Sequence, residues 1–318
     1  MRSSNSFKRA CAVFAGAVAT ALVASSSASA VELNGGWAPF DRCPVDDPLV
    51  LNTDGISNGG TGSICIAANS PSGSIKLGKL EAQATGATNL QTGGQVAGGE
   101  VTLVDGVGGT VISDPVKVKG GLLNISCGSG NDPLGIRAIC RTLLEDNVLN
   151  KVTATVESAG APTDFNIIAG LLVGEPIMTL PVKIHLQNPL LGGNCYIGSD
   201  SNPILLRPAN IEAPAGADFG TYALNGDPAD GPDGLLGSIT TYGATQGDST
   251  FEVPKAKGCG LLNLFDGAIN NKVGLPSPSG ANELVLNDAS ASLMIPALSD
   301  GEVPGTLFSQ GWHSAVLP

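Results

Sequence analysis

Three short runs of this chain alternate apolar and polar residues with a period of two, and that alternation constrains its fold more than any other feature. In "DPVKVKGG", Val116 and Val118 alternate with Lys117 and Lys119, and in "KVTATVES", Val152, Ala154 and Val156 alternate with Thr153, Thr155 and Glu157. "PVKIHLQN" repeats the pattern, with Val182, Ile184 and Leu186 on one side and Lys183, His185 and Gln187 on the other. Successive side chains of a strand point to opposite faces, so each run predicts a strand with one buried and one wet face. Turn signals recur between such runs: "TDGISNGGTG", "QTGG", "DGVGG" and "PSPSGAN".

Composition points the same way. Charged residues make up 14% of the chain and glycine supplies 44 residues, whereas ordinary globular domains carry about 25% charge. That is the profile of many short strands joined by tight turns. Aromatics are only 4%, so the core must be assembled from Val, Leu, Ile and Ala.

Residues 1–30 read as a secretory signal. Arg2, Lys8 and Arg9 precede an apolar run from Ala10 to Ala24, and Ala28-Ser29-Ala30 supplies the small-residue cleavage site. The run falls short of the ~20 apolar residues that span a bilayer. The most apolar later stretch, "IIAGLLVGEPIMTLPV" at 167–182, is divided by Glu175-Pro176 and Pro181. No transmembrane span is therefore expected after cleavage. Removing the leader takes three cations and no acid, leaving thirteen Lys and Arg against 28 Asp and Glu, a net charge of −15. Nucleic acid is not an expected partner, since its phosphates require a clustered positive surface.

Six cysteines remain after Cys11 leaves with the signal: Cys43, Cys65, Cys127, Cys140, Cys195 and Cys259. An even number in an exported chain predicts three disulfides. Two schemes stand open. Both join Cys195 to Cys259; one pairs Cys43 with Cys65 and Cys127 with Cys140, the other pairs Cys65 with Cys127 to mirror Cys195 and Cys259.

Three blocks recur in the same order and predict an internal duplication. "GSICIAANSPSGSIKLG" (62–78) is echoed by "GGNCYIGSDSNPILLRP" (192–208), "VKVKGGLLNISC" (116–127) by "VPKAKGCGLLNLF" (253–265), and "LLEDNVLNKV" (143–152) by "LFDGAINNKV" (264–273). The expected architecture is all-β and mainly antiparallel, a β-sandwich or barrel-like fold built as a tandem duplication, with a first repeat over 31–160 and a second over 161–318. One or two short helices are expected. The first is an insertion near 132–149, with Asp132 as its cap and Ile136, Ile139, Cys140, Leu143 and Leu144 as its apolar stripe. A shorter counterpart is expected near 261–271.

Chemistry-bearing motifs are sparse. H-E-x-x-H, a complete phosphate-cradling G-x-x-x-x-G-K-[ST] loop and a dinucleotide-binding glycine pattern are missing from the sequence, and its one G-x-S-x-G, Gly55 to Gly59, falls inside the turn run "TDGISNGGTG". His185 and His313 are the histidines. His185 is expected as a solvated imidazole on a strand's wet face, with a general base as the sharper reading. His313 lies in "GWHSAVLP" beside Ser314, a potential nucleophile–base pair, but adjacent residues on an extended chain point to opposite sides, and His313 is expected on a terminal strand packed by Trp312 or Ala315. "NGDPADGPDG" sets Asp227, Asp230 and Asp233 three apart, offering oxygen ligands of the kind Ca²⁺ takes, although the spacing differs from an EF-hand and also suits a solvated acidic loop. Trp37 and Trp312, near opposite ends of the mature chain, meet if the termini are neighbours.

The runs "WAPFDRCPVDDP", "LPVKIHLQNPLLGGNCYIGSDSNPILLRPAN" and "WHSAVLP" resemble a group of secreted proteins of high-GC Gram-positive filamentous bacteria. The resemblance covers most of the mature chain; it implies export and a shared fold, and transfers no catalytic residue. Three functions follow as expectations. The leading one is a non-enzymatic secreted protein with a binding or structural role at the cell wall or in the extracellular space. A hydrolase using carboxylates or His185 is the second. The third is an outer-envelope β-barrel, encouraged by a mean hydropathy of +0.20 and opposed by frequent prolines and the lack of aromatic girdles.

Overall fold

The computed structural model describes residues 31–84, 88–122, 127, 140–141, 147–297 and 303–318. Residues 1–30, expected as a signal, and most of the helix expected near 132–149 lie outside them. Sixteen strands follow in chain order: β1 (Thr61–Ser70), β2 (Ser72–Leu77), β3 (Leu80–Ala84), β4 (Thr88–Ala97), β5 (Glu100–Asp105), β6 (Val111–Ser113), β7 (Val116–Lys117), β8 (Thr153–Ser158), β9 (Leu180–Gln187), β10 (Tyr196–Ile197), β11 (Ile204–Leu206), β12 (Ala209–Glu212), β13 (Gly216–Tyr222), β14 (Leu236–Asp248), β15 (Ala256–Lys257) and β16 (Glu283–Pro296). Among the described residues the α-helices are α1 (Pro48–Leu51), α2 (Asp266–Val273) and α3 (Gly305–Ser314), beside several short 3-10 turns. The fold is all-β, as its alternating runs predict.

All named strand pairs are antiparallel and belong to one sheet, ordered β12-β14-β16-β1-β4-β6-β8-β9-β10-β15, which curls into a half-barrel. The expected boundary at residue 160 falls between β8 and β9, which are bonded neighbours, Thr153 opposite Gln187 through Ser158 opposite Val182. β16 is the long central strand. It pairs with β14 on one side and with β1 and β2 on the other, so the last strand of the chain joins its first. Register shifts near Ala244 in the β14–β16 ladder mark bulges, which bend a sheet and raise its twist.

The blocks read as copies are each laid along one long strand. β1 and β2 together run antiparallel to β16 with a break at residue 71. β10 and β11 run antiparallel to β9 with a longer break over 198–203. Their outer neighbours differ: β4 flanks β1, whereas the two-residue β15 flanks β10.

Three disulfides form, and they settle the pairing in favour of the local scheme: Cys43–Cys65, Cys127–Cys140 and Cys195–Cys259. Across the β1–β4 ladder Cys65 faces Gly93, where a Cβ would stand 2.9 Å from the Pro44 ring and 3.2 Å from Cys43 Sγ. Glycine at that position makes room for the bridge.

The chain ends meet. Leu33 bridges to Val316, and the Asn34 amide donates to the Ala315 carbonyl at 2.8 Å. Residue 313 lies on helix α3, not on the terminal strand expected there, because Phe308, Trp312 and Ala315 fall on one helical face and all three are buried. Trp37 packs edge-on to Phe308, ring centroids 4.9 Å apart, and shares that core with Phe40, Val50 and Trp312. Each indole N–H finds a carbonyl at 2.8 Å, Trp37 at Leu224 and Trp312 at Phe40.

Candidate functional site

The concave face of the half-barrel encloses a cavity of about 310 Å³. Alternation puts its walls there. Val182, Ile184 and Leu186 of β9 and Ala154 and Val156 of β8 face in, while Thr153, Thr155, Glu157, Lys183, His185 and Gln187 take the alternate positions. β16 contributes Leu284, Leu286 and Leu293, and β1 and β2 add Ile66, Ala68 and Ile75. Phe165 is the single aromatic among the lining residues, and Ala68, Ala82, Ala154, Ala289 and Ala291 keep the wall thin. Aliphatic and alanine side chains projecting from a curved sheet leave its middle unfilled, a void that rings would occupy.

Several polar groups on the wall are committed elsewhere. Ser113 Oγ accepts from the Val156 amide at 2.9 Å and donates to the Val156 carbonyl at 3.3 Å. Ser70 Oγ lies 2.8 Å from the Ser72 and Asn287 carbonyls, and Gln246 Nε2 donates to Asn210 Oδ1 at 3.2 Å. Among the described residues Asp114 is the one ionisable member of the lining, and it is exposed.

A loop over 164–178 forms the mouth. Ile167, Ile168 and Leu171 line the cavity and are also 40%, 57% and 42% exposed, so apolar surface runs without a break from solvent to the interior. The loop is pinned at its crest by buried Asn210, whose Nδ2 donates to the Gly170 carbonyl at 2.9 Å and the Leu172 carbonyl at 3.0 Å. At its base Thr163 bridges to Thr179 and the Ile177 amide donates to the Pro208 carbonyl. Nothing in the two-residue alternation marks this loop. The signal available was the apolar run "IIAGLLVG" itself, too charge-free for an ordinary solvated connection.

The structure separates the residues singled out from sequence. His185 stands on the outer face of β9, away from the cavity. Its Nδ1 is 3.1 Å from Glu157 Oε1, and its ring stacks on Tyr196 with centroids 4.4 Å apart. Only 15% of the side chain is exposed, so it is a packed imidazole and not the solvated one expected. Among the described residues His185 Nε2 and Thr155 Oγ1 have no hydrogen-bond partner. A general base must reach the proton it takes, and this nitrogen is covered. Lys183 joins the cluster, bonding Asp200 at 2.7 Å and standing 5.3 Å over the Tyr196 ring. The bond to Asp200 holds its pKa above the usual lysine value, while burial pushes the Tyr196 phenol up.

His313 faces Asp46, with Nε2 2.9 Å from Oδ1, and Ser309 Oγ donates to the same carboxylate oxygen at 2.8 Å. Ser314 instead donates to the Gly311 carbonyl, so the Ser314–His313 pair does not form. Asp227 accepts from Asn34 Nδ2 at 2.7 Å and Asn225 Nδ2 at 2.8 Å, which lowers its pKa, and ties the acidic loop to the N-terminal segment. Asp230 and Asp233 are exposed around a 3-10 turn. Among the described residues no three His, Cys, Asp or Glu side chains converge in a metal-holding group, and no helix is long and apolar enough to cross a membrane. Comparisons of the chain with protein-family models, with curated proteins and with solved structures returned no match.

Proposed function

We propose that this is a secreted, disulfide-stapled β protein that binds an apolar ligand, an acyl chain or comparable flexible hydrocarbon, in the concavity of its half-barrel and catalyses no reaction on it. One observation carries the reading: a hollow of about 310 Å³ whose wall is mainly aliphatic and whose single ionisable residue among those described, Asp114, is exposed. Ligand cavities run from about 300 Å³ upward and use few polar groups to orient what they hold. At ~30 Å³ per methylene, near a water's share of liquid volume, this one takes on the order of ten methylene groups. Each contributes about 0.8 kcal/mol on burial.

A hydrolase needs a base paired with a nucleophile or water beside its substrate, and among the described residues the only ionisable group of the wall is the exposed Asp114, with no histidine near it. A membrane barrel turns its apolar face outward and its polar face inward; here Lys183, His185 and Glu157 are outside and the aliphatics inside. Three disulfides and the expected leader fit an extracellular or cell-wall setting.

Isothermal titration with straight-chain carboxylates of increasing length tests the proposal. Affinity is expected to rise about fourfold per added methylene until the hollow is full, and then to level off. An absence of binding, or affinity indifferent to chain length, overturns it.

A further inference from the structure

One end of the sheet carries a second apolar feature that the cavity does not use. Leu261, Leu262 and Leu264 are 79%, 86% and 73% exposed on the loop between β15 and α2. This loop is held rigidly. Cys259 at its base is bonded to Cys195, the Gly260 amide donates to the Leu191 carbonyl at 2.7 Å, and Asp266 turns inward to accept from the Cys259 amide at 2.8 Å. Leu262 and Asn263 have φ of +55° and +63°. A leucine in the left-handed region is strained, and here that conformation displays the side chain to solvent instead of burying it.

Neighbouring loops extend the feature. Asn188 Nδ2 donates to the Leu149 and Lys151 carbonyls at 3.1 and 2.8 Å, which sets exposed Val148 and Leu149 beside exposed Leu190. The Val118 amide donates to the Val152 carbonyl, placing Lys119 next to Lys151, and Lys257 lies on β15 directly before the leucine loop. Lys119, Lys151 and Lys257 are all exposed. Among the described residues the segments 117–122, 147–153, 186–195 and 255–265 contain five lysines and no acid; Asp266, next along the chain, is turned to the Cys259 amide, and Glu145-Asp146 precede residue 147 in the sequence.

We propose that this lysine-rimmed leucine tip docks on the face of an anionic lipid bilayer, the leucines entering the boundary between headgroups and acyl chains while the lysines meet the lipid charges. Apolar side chains ringed by cations suit that surface. A protein partner for so acidic a molecule is not selected by leucines alone, whereas the local reversal of charge selects an anionic surface. The inference is independent of ligand binding in the cavity.

Co-sedimentation of the mature chain with vesicles of phosphatidylcholine, alone or mixed with phosphatidylglycerol, tests it. The chain is expected to sediment with the mixed vesicles and to be released by high salt. Lys151→Glu and Lys257→Glu each weaken binding at least fivefold, following the ~1 kcal/mol that one lysine contributes near such a surface. The triple variant Leu261→Ser, Leu262→Ser, Leu264→Ser abolishes it, with an unchanged melting temperature showing that the exposed loop still folds. Cavity-filling Val156→Phe leaves sedimentation unchanged, which separates this surface from the ligand site. Failure of the wild type to sediment with the mixed vesicles overturns the proposal. So does equal binding to both vesicle types, binding by the triple serine variant, or self-association that the serines remove without any vesicle binding.

Discussion

The aromatic core at the joined chain ends and the hollow under β8, β9 and β16 are two solutions to burying one sheet, and they differ in what fills the space. Trp37, Phe40, Phe308 and Trp312 pack the first, with the Cys43–Cys65 bridge against them. Valines, leucines, isoleucines and alanines line the second, and a cavity remains. Both tryptophans of the chain go to the end that must be closed. Where the rings sit, the molecule is solid; where they are withheld, it has room for a guest.

Substitutions that ignore this difference should be uniformly costly, whereas the account expects asymmetry. The largest effect belongs to the solid region: Trp37→Ala or Phe308→Ala removes a fully buried ring and should cost about 3–5 kcal/mol, read as a lowered midpoint in urea. Removing a bridge comes next. Loops of 22 and 64 residues give about 3 kcal/mol for Cys43–Cys65 and about 4 kcal/mol for Cys195–Cys259 in the chain-entropy picture. Paired serine substitutions followed by denaturation check the order.

A matched pair of overpacking variants sharpens the comparison. Val50→Phe, in the filled core, should destabilise by about 1–3 kcal/mol. Val156→Phe projects into the hollow and should cost less than ~1 kcal/mol while blocking the ligand. Equal losses from the two would mean that the hollow is filled by its own side chains.

The smallest effect lies on the surface of the solid region. The hydrogen bond from His313, then that from Ser309, holds the Asp46 carboxyl below its usual value. A depressed carboxylate stabilises the fold above its unfolded pKa, and that contribution is lost as pH falls through the lowered folded value. Because the pair is exposed, Asp46→Asn should cost under ~1 kcal/mol near neutrality, less in high salt, and nothing once acid has protonated the wild type. Thermal melts across that range check the sign.

The alternation of β8 and β9 was legible because a strand's faces are encoded locally: Val182, Ile184 and Leu186 are buried and line the wall as read. The partnership of β16 with β1 and β2 was not, since it joins residues more than two hundred positions apart and no local pattern names a distant partner. Residue 313 was misplaced because "WHSAVLP" is too short to show a period, although Phe308, Trp312 and Ala315 together show the helical one. The cavity was hidden for a different reason. Hollowness is a property of many strands at once, and each strand alone reads as ordinary core.

The most direct test is fluorescence titration of purified residues 31–318 with cis-parinaric acid, a fluorescent acyl chain, set against the Val156→Phe variant. The account predicts saturation at one probe per wild-type chain, displacement by palmitate, and at least tenfold weaker binding by the variant at an unchanged melting temperature. Unsaturable binding, or equal affinity for the two proteins, would contradict it.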